Sequence, residues 1–113
     1  MKMNAKIKER WVKALRSGKY KQGKGELKSV QGDYCCLGVL CDLYKKAYKT
    51  DWATATNNET LEPGHTVCEW AELLEPNPWA GRLSLAEHND GNETTHRKPK
   101  TFAQIADLIE KYL

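Results

Sequence analysis

Between Ile7 and Leu15 apolar side chains return at helical spacing, with Ile7, Trp11, Ala14 and Leu15 on one stripe and Lys6, Arg10 and Lys13 on the opposite face. The pattern predicts a first helix that Ser17-Gly18 terminates, because glycine takes the left-handed conformation that closes a helix C-terminus. A basic, glycine-punctuated loop follows from Lys19 to Gly25, and then Glu26 to Val30 and Asp33 to Cys36 predict a short β-hairpin turning at Gln31-Gly32. The run Cys36 to Tyr44 is apolar on nearly every side and predicts a buried central helix closed by Lys45-Lys46. Thr50 to Glu62 is polar and without period, which predicts a loop with one strand around Trp52 to Thr56. Pro63 is expected at the first position of a helix whose apolar face is Val67, Trp70, Ala71 and Leu74 and which Pro76 and Pro78 stop. Ser84 with Glu87, and Thr101 with Gln104, match capping boxes. The first opens a short helix to about Asn89, and the second opens a terminal helix carrying Phe102, Ile105, Ala106, Ile109 and Leu113. Between them, residues 91–100 are polar and predicted to form a mobile loop. About five helices packed around a short β-hairpin make a mostly helical α+β fold.

A chain of 113 residues holds a single domain, 1–113, and excludes a two-domain enzyme. With 40% apolar and 29% charged residues it has the composition of a globular protein. No apolar run approaches the ~18 residues that span a bilayer, and no apolar stretch follows the charges near Met1, so no membrane partner and a cytoplasmic location are expected. Cys35, Cys36, Cys41 and Cys68 are then expected as reduced thiols. They and His65, His88 and His96 contain no Cys-x2-Cys pair, so no metal site and no cofactor are expected. The net charge of +3 conceals a division: up to Tyr34 there are ten bases and three acids, and beyond it eight bases and 12 acids. Lys6, Arg10 and Lys13 could meet phosphates of a nucleic acid, but a pI of about 8.6 is below that of a dedicated nucleic-acid domain, and a solvated helix face accounts for them as well.

The segments Trp11-Val12-Lys13-Ala14-Leu15-Arg16-Ser17-Gly18-Lys19-Tyr20-Lys21-Gln22-Gly23-Lys24-Gly25 and Tyr34-Cys35-Cys36-Leu37-Gly38-Val39-Leu40-Cys41-Asp42-Leu43 resemble a family of small uncharacterised proteins of tailed bacteriophages and prophages. Trp70, Leu85-Ala86, Asn89-Asp90, Phe102 and Ile105-Ala106 extend the resemblance over most of the chain. It implies a setting, not a mechanism. Small phage proteins often manage the host by blocking immune effectors, binding nucleotide immune signals or handling nucleic acid.

The candidate ligand-binding residues are Arg16, Lys19, Tyr20, Gln22, Gly23, Lys24 and Gly25, with Tyr34, Asn89 and Asp90. Glycines flanking Lys24 permit backbone N–H groups to turn toward one anion, Tyr20 and Tyr34 offer stacking faces, and Gln22, Asn89 and Asp90 offer polar groups for a base or ribose edge. Against this stand a plain solvated turn at Gly23 and Gly25 and a self-satisfied Asn-Asp-Gly turn at Asn89. The expectation is a binding protein, not an enzyme, that captures a phosphorylated or nucleotide-like small molecule, such as a nucleotide-derived host immune signal. The alternatives are an inhibitor of a host protein, for which Trp52 and Trp79 are the candidate contacts, and weak nucleic-acid association. A homo-oligomer is left open.

Overall fold

The computed structural model describes residues 2–58 and 60–113; Met1, and Glu59 within the Thr50 to Glu62 stretch, lie outside them. Helix α1 spans Ala5–Arg16 and begins at Asn4, whose side chain accepts from the Ile7 N–H at 3.0 Å. It buries Ile7, Trp11, Val12 and Leu15, and Lys13 and Arg16 stand in its last turn, where cations favour the dipole. Gly18 follows at φ +76°. Helix α2, Cys36–Tyr48, is the hub, packing against α1 and against three helices described next, α3 (Trp52–Thr56), α4 (His65–Ala71) and α5 (Leu85–Asp90). Every residue from Cys36 to Asp42 is buried. Leu37 and Leu40 each contribute about 2 kcal/mol by leaving water. The indole N–H of Trp11 donates to the Cys36 carbonyl at 2.9 Å and ties α1 to the start of α2.

Gly38 lets α2 approach the incoming chain, since a Cβ there would stand 1.8 Å from the Leu27 carbonyl oxygen. Helix α6, Phe102–Tyr112, packs chiefly on α1 and opens with both halves of the Thr101–Gln104 capping box. The chain ends meet: the Met3 N–H donates to the Leu113 carbonyl at 3.2 Å, and the Asn4 N–H to that of Ala71 at 2.9 Å.

The α+β architecture agrees with the sequence pattern, with six helices among the described residues and one two-stranded antiparallel sheet. The sheet, however, is β1 (Trp79–Ala80) with β2 (Leu83–Ser84), turning at Gly81 with φ +77°. The hairpin expected at Glu26 to Cys36 is reduced to a turn bridged at Lys28 and Tyr34, with the Ser29 N–H donating to Asp33 at 2.8 Å. Tyr34 also pairs in parallel with Gln22, so its backbone is divided between two segments and no ladder propagates. The strand expected at Trp52 to Thr56 is α3, because Asp51 accepts from the Thr54 N–H at 2.7 Å and caps a helical turn. Pro63 precedes the Gly64 cap of α4 and does not open it. At α5 the Ser84 hydroxyl accepts from Glu87 at 3.3 Å, while the Glu87 carboxylate accepts from Asn92, so only half of the expected box forms. His88 is buried, its Nε2 donating to the Ala80 carbonyl at 2.8 Å and fastening α5 to β1. The loop after α5 is closed by the pair Asn92 and Arg97.

Candidate functional site

A cleft of about 610 Å³ lies between α1 and α2, with Lys19, Tyr20 and Tyr34 along its edge. From α1 come Arg10, Lys13 and Ala14, one helical face; from α2 come Asp42, Leu43, Lys45 and Lys46. Five cations thus surround a single carboxylate. Asp42 is only 4% exposed. The Tyr20 hydroxyl donates to it at 2.5 Å, and the Lys46 ammonium stands 3.1 Å from it and 3.3 Å from the Tyr20 oxygen. Burial and then the bond to Asp42 push the Tyr20 hydroxyl up to about 12, so it keeps its proton and donates at neutral pH. Asp42, and secondarily Tyr20, raises the Lys46 ammonium. Among the described residues Arg10, Lys13, Lys19 and Lys45 make no ion pair, so four cations face the cleft unneutralised.

An aromatic wall continues from Tyr20. The Tyr20 and Tyr34 rings meet edge to face with centroids 5.0 Å apart, and Tyr34 meets Trp52 at 6.0 Å. Lys28 lies 5.4 Å from the Tyr34 ring centre and 5.6 Å from that of Trp52, and Lys46 lies 5.3 Å from that of Tyr20. Apolar, aromatic and cationic surface therefore meet in one cavity of small-molecule size.

Eight of the ten residues singled out in the sequence separate into three groups. Lys19, Tyr20 and Tyr34 line the cleft. Arg16 projects from the other side of α1 to α6, where its guanidinium pairs with Asp107 at 2.5 Å and Glu110 at 2.6 Å. Gln22, Gly23, Lys24 and Asn89 meet at a separate depression of about 290 Å³ beside Pro99 and Lys100. Gly23 and Asn89 do come together, but as a fastening. The Asn89 amide oxygen accepts from Gln22 at 3.0 Å and from the Cys36 N–H at 3.1 Å, and its nitrogen donates to the Gly23 carbonyl at 2.8 Å and to Asp90 at 2.9 Å. With no exposed surface and every donor and acceptor used, Asn89 has nothing to offer a ligand in this arrangement. Gln22 is likewise engaged, donating also to Lys100 at 2.8 Å and accepting from Phe102 at 3.1 Å. Of the amides expected to form a cradle around Lys24, the Gly23 N–H is already engaged, donating to the Tyr34 carbonyl at 2.7 Å. Glycine is required there by a neighbour, since an added Cβ would lie 2.8 Å from that of Asp33. Gly25 is exposed at φ +83°, an ordinary turn position.

Arg10, Lys13, Asp42, Lys45 and Lys46 are the cleft residues that the loop-centred view leaves out. The signal for them was a lone acid inside an apolar run, Asp42, with Lys46 one turn on and a basic face on the preceding helix. The cysteines take no part. All four are buried and free, and burial raises their thiols, that of Cys35 to about 11. Among the described residues no three His, Cys, Asp or Glu side chains gather as a metal site, and no helix is long and apolar enough to cross a membrane.

A family model described as a domain of unknown function, DUF8296, matches residues 3–113, and the chain belongs to that family. No curated protein and no solved structure matches it.

Proposed function

We propose that the protein binds a phosphorylated, nucleotide-like small molecule in the cleft between α1 and α2 and holds it without converting it. The observation that carries this is the concentration of Arg10, Lys13, Lys19, Lys45 and Lys46 around one cavity whose wall is Tyr20 and Tyr34. Ammonium and guanidinium groups at a shared cleft attract phosphate, and a tyrosine face accepts a base. Retention without turnover is supported by the engagement of the cleft's one carboxylate, whose Oδ2 is held by both Tyr20 and Lys46, as a structural partner of those two groups. Joined to the resemblance to phage proteins, the proposed role is sequestration of a nucleotide-derived host immune signal in the host cytoplasm.

Calorimetry with mononucleotides and cyclic nucleotides tests this. Binding is expected, Lys45→Ala is expected to weaken it about tenfold as one charge-assisted contact is lost, and chromatography is expected to return the ligand intact. Lys24→Ala, outside the cleft, is expected to bind as wild type. An absence of heat across the panel, or an equal loss in Lys24→Ala, would refute the assignment.

A second reading, an inhibitor that docks on a host protein, is favoured by a different surface. Leu74, Trp79 and Tyr112 are 74%, 56% and 46% exposed around a notch of about 190 Å³ that Met3 and Leu113 also line. Trp52, the other tryptophan considered, is half-buried against Tyr34 and supports the aromatic wall instead. If this reading holds, a host protein retained by the wild type is lost by Trp79→Ser and kept by Lys45→Ala; retention by Trp79→Ser would end it.

A further inference from the structure

The cleft is not alone. On the other flank of α1 lies a second cavity of about 700 Å³, and the two share Lys13, Ser17 and Lys19. Lys13 and Ser17 form a ridge along the last turns of α1, with Lys19 arriving from the following loop, so the same ammonium groups border both cavities. The second cavity adds Lys8 and Arg16 and the exposed Ala5, with the buried Val12 beneath it. Its four cations exceed its two acids, Glu9 and Glu110, and Arg16 already answers Glu110. Among the described residues Lys8, Lys13 and Lys19 make no ion pair.

Each cavity is by itself large enough for a small ligand. A mononucleotide held against Tyr20 and Tyr34 occupies the first and leaves Lys8 and Ala5 untouched. The cations common to both cavities, Lys13 and Lys19, border the two volumes at once. A ligand matching that arrangement has its negative charge in the middle and a nucleoside at each end.

Resting on the cleft reading above, we propose that the ligand is a phosphodiester-linked dinucleotide that straddles α1. One nucleoside lies on Tyr20 and Tyr34, the linking phosphate lies at Lys13 and Lys19, and the second nucleoside lies against Ala5 within reach of Lys8.

The test is calorimetry on the full chain with adenosine monophosphate, a 3′,5′-linked adenosine dinucleotide and a short single-stranded oligonucleotide. One dinucleotide per chain is expected, bound at least about tenfold more tightly than the mononucleotide, as one further charge-assisted contact provides. Lys8→Ala is expected to weaken the dinucleotide and leave the mononucleotide unchanged, whereas Lys45→Ala weakens both. Equal affinity for the two, with Lys8→Ala silent, overturns the straddling ligand and leaves the cleft intact. Two mononucleotides binding independently overturn it as well. An oligonucleotide that binds tightest and loses affinity steeply with salt overturns it in favour of a nucleic-acid strand. If no probe binds, the cleft reading itself fails.

Discussion

Asp42 and Asn89 are both buried polar residues, and their partners decide opposite roles. Asn89 is satisfied entirely by protein groups and fastens the Gln22–Gly23 segment to α2 and α5. Asp42 faces a cleft, where Tyr20 and Lys46 hold it. From sequence Asn89 stands as a candidate contact, weighed against a self-satisfied Asn-Asp-Gly turn, while Asp42 is one acid within an apolar run. Only the long-range partners, far away in sequence, reverse those roles. The Tyr20–Asp42 contact has a pH signature. Tyr20 has its folded value raised to about 12 from the ordinary 10, so its contribution to stability is complete below pH 10 and is lost as pH rises toward 12. Lys46, also raised, acts with the same sign. The stability gap between wild type and Tyr20→Phe, measured by urea titration, is therefore expected to be open at neutral pH and to close across that alkaline window. A gap that stays constant would show that the hydroxyl contributes nothing through Asp42.

Helices with their own stripe and cap were legible element by element. α1 has Ile7, Trp11 and Leu15 with Ser17-Gly18 after them, α6 has Phe102, Ile105 and Ile109 with a complete capping box, and α2 has apolar residues all round, which only a central position tolerates. α3 was not legible, since five residues cannot display a period and its one signal is Asp51 at the cap. The hairpin moved because Tyr34 is claimed by two neighbours, a competition that no local pattern records. Gly38 belongs to this scale too, for it sets how closely α2 meets the Leu27 backbone. Gly38→Ala places a carbon 1.8 Å from a carbonyl oxygen that the fold cannot easily withdraw, and the expected loss is about 3 kcal/mol or more. Gly25→Ala, in open space at φ +83°, is expected to cost only about 1 kcal/mol. Urea midpoints of the two variants check the difference, and similar midpoints would mean that α2 recedes from Leu27 at little cost.

For the molecule as a whole, the excess of bases up to Tyr34 becomes directional once folded. Arg10, Lys13 and Lys19 from that half meet Lys45 and Lys46 from the other across one cleft, while Arg16 is drawn off to the acids of α6. Charge counting located the excess but not its focus, because the cleft is assembled from helices separated by the whole basic loop and bridged turn. A second whole-chain feature is the bond between Met3 and Leu113, which brings the two ends together at the rim of the Leu74, Trp79 and Tyr112 notch. The backbone thus runs as a nearly closed ring with its seam on the apolar side. A tag or partner domain fused at either end leaves from that seam and shades the notch. The cationic cleft shares no lining residue with that notch, so immobilising the protein by an end is expected to obstruct the surface that a host protein would need more than the cleft.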